Sequence, residues 1–127
     1  MSDIGTEELQ IAIYNQLKAQ GLNVYSTVLP KEYSFPMVKM EEEYLTDQST
    51  KNKIHWEIYH VLHIFSLSKS KEEINEYNQK VIQALREPFE LMNGFYVSKS
   101  RLDYLQTLRE EDAFHGVLRF TFTISKG

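Results

Sequence analysis

Residues 114–125, Phe-His-Gly-Val-Leu-Arg-Phe-Thr-Phe-Thr-Ile-Ser, constrain the fold more than any other stretch of this chain. Phe114, Leu118, Phe120, Phe122 and Ile124 share one parity, while His115, Arg119, Thr121 and Thr123 share the other. Such alternation describes an antiparallel strand with one face in a core and one toward water. A second strand candidate, residues 95–108, precedes it across the acidic turn Glu110-Glu111-Asp112, so the two should form a long hairpin. A hairpin with one apolar face needs a cover.

Two helices can supply it. Leu9, Ile13 and Leu17 recur every four residues and predict a first helix, capped by Asp3 or Thr6, running to about Gln20 and stopped by Gly21. Ser70-Lys71-Glu72-Glu73 has the Ser-x-x-Glu form of a capping box and opens a second helix. Its apolar stripe is Ile74, Tyr77, Val81, Ile82 and Leu85, and it ends before Pro88.

Between the helices lie three extended segments. Residues 22–25 form a short one, after which Leu29-Pro30 and Phe35-Pro36 bracket a loop. Residues 37–45 predict a charged edge strand in which Glu41 and Glu43 fall on one face. Thr46, Asp47, Gln48, Ser49, Thr50, Lys51, Asn52 and Lys53 are polar throughout and read as a mobile loop. Residues 54–65, Ile-His-Trp-Glu-Ile-Tyr-His-Val-Leu-His-Ile-Phe, fit both a strand and a helical stripe. Branched and aromatic residues decide for a strand. The chain therefore reads as a single α+β domain over residues 1–127, with a mainly antiparallel sheet of about five strands and two helices packed on one face.

Three of the four histidines fall within residues 55–65, so metal and acid–base chemistry must be weighed. On a strand His55 and His63 share a face but stand roughly 26 Å apart, at about 3.3 Å per residue. His60 points to the opposite face, and one ion needs all its ligand nitrogens within about 2 Å. No metal, cofactor or catalytic residue is expected. The chain has no cysteine, which excludes a disulfide framework, a thiol nucleophile and a zinc finger, and suits residence inside the cell. Glycine-rich nucleotide-binding and hydrolase motifs are absent as well. The N-terminus lacks a basic and apolar export pattern, and no apolar run is long enough to span a membrane. Net charge is −4 with acids and bases interspersed, which argues against a dedicated phosphate-binding surface. Lys99 and Arg101, of one parity with Phe95 and Val97, leave a single-stranded nucleic acid binder as one alternative. A small-ligand-binding α+β domain using His60 or His63 is another.

Several stretches taken in order carry a resemblance. Asn23-Val24-Tyr25-Ser26 leads to Leu29-Pro30, then to Phe35-Pro36-Met37-Val38, a polar loop, an aromatic strand and the helix at Ser70. Glu110-Glu111-Asp112-Ala113-Phe114-His115-Gly116-Val117-Leu118-Arg119-Phe120 follows. From about Leu9 to Ile124 this pattern resembles the tail-completion proteins of long-tailed bacteriophages, the tail terminator or tail-to-head joining proteins. Leu-Pro and Pro-Met-Val stand where that family more often shows Val-Pro and Pro-Tyr-Val.

The resemblance implies a structural, non-catalytic virion protein of a phage or prophage. It implies a ring, six-membered in the family, on the head-proximal end of the completed tail tube. The expected partners are copies of itself, the tail tube protein, a head–neck connector protein and DNA passing through without specific binding. The expected location is the virion tail, with the host cytoplasm during assembly, and no membrane. Residues 46–53 become the candidate docking loop, and Glu41 and Glu43 the candidate wall of a channel that repels DNA phosphates.

Overall fold

The computed structural model describes residues 5–26, 28–47, 49 and 55–126. Its elements run α1 (Thr6–Ala19), β1 (Val24–Tyr25), β2 (Met37–Asp47), β3 (His55–Ser66), α2 (Glu72–Leu85), β4 (Phe89–Glu90), β5 (Phe95–Glu110) and β6 (Ala113–Lys126). The strands form one six-stranded sheet in the order β1-β2-β3-β6-β5-β4. All neighbours are antiparallel except β1 and β2, which run parallel. The sheet is thus mixed and larger than the five antiparallel strands expected. The additional strand is β4, whose two residues are too short to leave an alternation in the sequence.

The hairpin forms as its alternation requires, with Glu111 and Asp112 alone in the turn between Glu110 and Ala113. Phe114, Leu118, Phe120, Phe122 and Ile124 all enter the core, joined by Ile58, Leu62 and Ile64 of β3. Both helices cover this face: Leu9, Ile13 and Leu17 of α1 and Ile74, Val81 and Leu85 of α2 belong to the same cluster. Each such side chain, fully buried, contributes about 1.5–3 kcal/mol against leaving it in water. The helices meet where Gln16 Nε2 donates to the Ala84 carbonyl at 2.9 Å. The opposite, outer face carries Tyr59, His63, His115, Arg119 and Thr123, none of them fully buried.

Helix ends depart from the expected caps. The N-cap of α1 is Gly5 in the left-handed region, with Thr6 already helical, and Asp3 lies outside the described residues. Gly21 stops the helix as expected: at φ 79° its N–H reaches the Lys18 carbonyl at 2.9 Å. The capping box at Ser70 does not form, because α2 begins after Lys71 and no side chain caps it. Glu73 instead accepts a 2.6 Å hydrogen bond from Ser66 Oγ at the end of β3, which is fully buried. That tertiary bond takes the carboxylate the box required. In the proline-bracketed loop, Asn23 Nδ2 donates to the carbonyls of Ser34 at 2.8 Å and Pro36 at 3.1 Å, and the Phe35–Pro36 peptide is cis.

Candidate assembly edges and the histidine cluster

Residues 55–65 are a strand, and the three histidines divide between its faces as the period of two demands. His60 is 2% exposed on the core face, edge-on to the Phe122 ring at 6.1 Å. Oε2 of Glu43 lies 2.8 Å from its Nε2, close enough for an ion pair but off the line of a hydrogen bond. His55 Nδ1 faces Ser125 Oγ at 3.4 Å. His63 finds the fourth histidine, with its Nδ1 2.8 Å from Nε2 of His115. His115 Nδ1 reaches Glu110 at 3.0 Å, and its ring stacks on Phe65 at 4.4 Å. Among the described residues no three His, Asp or Glu side chains gather as a metal site. Sequence spacing alone had no access to the His63–His115 pair, since the partners are 52 residues apart and meet only through the register of β3 on β6.

Three bulges decide where the charged residues of the edges go. In β2 the register shifts between Met40 and Glu42. Before the shift Lys39 opposes His63, and Lys39 pairs with Glu41 at 2.8 Å on the outer face. After it Glu43 opposes His60 and turns toward the core side. The shared face expected for Glu41 and Glu43 is therefore corrected: one extra residue in the strand separates the two carboxylates onto opposite faces. In β5 the register shifts between Val97 and Lys99. Phe95 and Val97 are buried while Lys99 and Arg101 are exposed, so the basic-plus-aromatic platform expected from their common parity does not exist.

The third bulge lies between Leu102 and Tyr104 and presents Asp103 to the outer face. Asp103 accepts hydrogen bonds from Thr121 Oγ1 and from Arg101 Nε at 2.8 Å, and Arg119 Nε lies 3.2 Å away. Burial works to raise its carboxyl, but the Thr121 and Arg101 bonds and the two guanidinium charges together hold it below the ordinary carboxylate value. Arg119 in turn lies over the rings of Tyr59 at 4.8 Å and Tyr44 at 5.6 Å, which stack at 4.3 Å. Bases, acids and aromatics thus interlock across four strands of the outer face.

The candidate docking loop is only partly described. Thr46 and Asp47 belong to β2 rather than to the loop, because their backbones continue the pairing with Glu57 and Trp56. Ser49 Oγ accepts from the His55 N–H at 3.1 Å and so ties the loop to the start of β3. Gln48, Thr50, Lys51, Asn52 and Lys53 lie outside the described residues, as does Ile54 of the expected strand. One surface cavity, about 520 Å³, is an open groove beside β4 and the start of β5, lined by Pro88, Phe89, Leu91 and Tyr96 among others, with no convergent catalytic pair. No helix among the described residues is long and apolar enough to cross a membrane.

Comparison with known proteins bears on this arrangement directly. No curated protein matches the sequence. A solved chain from the structure entitled "Virion of native gene transfer agent (GTA) particle" is similar in fold, with a TM-score of 0.82 over 98% of this chain and 99% of that one, at 22% identity. The family described as Tail completion protein gp17 matches residues 11–125. With nearly its whole length matched, including α2, most of α1 and nearly all of the long hairpin, the chain belongs to the Tail completion protein gp17 family.

Proposed function

We propose that this chain caps the head-proximal end of a completed tail tube as a closed ring, six-membered as in the resemblance, and forms the joint to the head–neck connector. This refines the structural role in tail assembly that family membership gives. The family match over residues 11–125 is the observation that carries it. The geometry agrees in kind: side chains interlock across an uncovered sheet face, and hydrogen-bonding strand edges are available for pairing with neighbours.

In this reading DNA passes through the ring without specific binding. The helix-covered face cannot line a channel, so the outer face does, and Glu41 is the acid of the expected pair that it carries. Glu43, turned toward His60, stands at the sheet edge. Residues 46–53 dock on the tube, with Ser49 holding the base of the loop against His55. The protein acts in the virion tail after assembly in the host cytoplasm.

Electron microscopy of a tail tube protein polymerised with and without this chain tests the proposal. Tubes capped at one end and arrested at fixed length are the expected result. Unlimited growth with no density at the tip defeats it. A nucleic-acid-binding reading gains nothing from the structure, because the bulge before Lys99 separates the bases from the buried rings.

A further inference from the structure

We infer that copies of this chain join by antiparallel pairing of the β2 edge of one copy with the β5 edge of the next, an attraction between unlike edges that also prevents like edges from pairing. The inference rests on the ring reading above and adds to it the surface and the sign of the contact.

Both sheet edges are capped only at one end. β1 pairs with β2 at Val38 and Lys39, and β4 pairs with β5 at Tyr96 and Val97. Past those pairs, residues 41–45 of β2 and 98–110 of β5 have no strand on their outward sides among the described residues. A row of unpaired backbone N–H and C=O groups of that kind is a template for another strand.

The open stretches stand at the same height. Following the ladders across the sheet, Tyr44 is level with Tyr59, Thr121 and Arg101, and Glu43 is level with His60, Phe120 and Leu102. Directions also agree. β2 is antiparallel to β3, β3 to β6 and β6 to β5, so β2 and β5 point opposite ways. A copy rotated about an axis along the strands keeps those directions, and its β2 therefore meets β5 antiparallel.

Charge selects the pairing. Residues 41–45 read Glu-Glu-Glu-Tyr-Leu and contain no base, whereas the first part of the open β5 edge, residues 98–102, reads Ser-Lys-Ser-Arg-Leu and contains no acid. Two β2 edges would set acid against acid, and two β5 edges base against base. Unlike edges set Glu41 of the outer face near Lys99 and Arg101 of the same face, with the half-exposed Tyr44 ring available to the Arg101 guanidinium, while Glu43 stays on the core side, level with Leu102. A head-to-tail contact of this type closes into a ring or runs on as a filament, and it never yields a closed two-fold dimer.

The test uses two charge reversals of the full chain, Lys99→Glu with Arg101→Glu, and Glu41→Lys. Sedimentation equilibrium and native mass spectrometry should show the unaltered chain associating up to about 1 mM. Each variant alone should associate about tenfold more weakly or worse. Mixing the two should restore association, because each supplies the edge the other lacks. Recovery on mixing also shows that both are folded, and far-ultraviolet circular dichroism of each variant alone checks this independently. Association indifferent to both reversals overturns edge pairing while leaving the capping role intact, and so does an unaltered chain that stays monomeric throughout. Loss of tube capping in the microscope is the separate result that removes the ring reading itself.

Discussion

Nε2 of His60 lies 2.8 Å from Oε2 of Glu43 across β2 and β3, with the His60 side chain 3% exposed and the Glu43 side chain 29% exposed. The two partners are unequal. The carboxylate can turn to water if the ring is lost, whereas the buried ring cannot if the carboxylate is lost. Glu43→Ala should therefore cost about 1–3 kcal/mol, because it removes the carboxylate beside a buried ring nitrogen that makes no hydrogen bond. His60→Leu, on an apolar face beside Phe122, should stay within about 1 kcal/mol of the parent chain. Urea unfolding measures both, and a larger loss for His60→Leu than for Glu43→Ala contradicts this account.

Helix α2 comes down on β6 at a glycine. A Cβ built on Gly116 would stand 2.9 Å from Oδ1 of Asn78, a buried side chain whose Nδ2 donates to Thr107 at 3.3 Å. Gly116→Ala should destabilise by about 1–3 kcal/mol through overpacking. In an Asn78→Ala background the obstruction is gone, and the added cost of Gly116→Ala should fall by more than half. Additive losses in that cycle would show that Asn78 is not the obstacle.

Acid should loosen the outer face at Asp103. A carboxyl held below its ordinary value, here 3.8, stabilises the fold above that value, and the contribution disappears as pH falls through the depressed one. Glu8 adds to the same acid limb, since the 2.7 Å hydrogen bond from Asn93 lowers it first of all. Asp103→Asn should flatten the loss of stability between about pH 5 and pH 2 without abolishing it. Urea midpoints across that range check this; an unchanged acid limb removes Asp103 as its source.

If the uncovered face lines a channel, the two acids of β2 should differ in particles. Glu41→Lys should slow DNA ejection, because a base on the wall attracts phosphate. Glu43→Lys, on the other side of the bulge, should leave the ejection rate of correctly assembled tails unchanged. Time-resolved ejection from purified particles separates them, and equal rates for Glu41→Lys and the parent defeat the assignment.

The alternation of residues 114–125 and the stripe of Ile74, Val81 and Leu85 were enough to place β6 and α2 and to name the buried face, since period-two and period-3.6 patterns are local properties. The aromatic strand around His60 and the acidic turn at Glu111 were legible for the same reason. The family, too, is written along the chain, in short signatures spread over residues 11–125. Parity failed wherever a single residue bulges from a ladder. Glu41 and Glu43, like Val97 and Lys99, share a parity but not a face, and a bulge is set by what the neighbouring strand needs rather than by the residues at the bulge. The meeting of His63 with His115 and the transfer of Glu73 from a cap to Ser66 likewise depend on partners distant in the chain. Amino-acid order alone determined the long elements and the core, because these follow from local chemistry, and it carried the family resemblance. Only the tertiary structure decided which charges stand at which edge, because register between strands is a property of pairs.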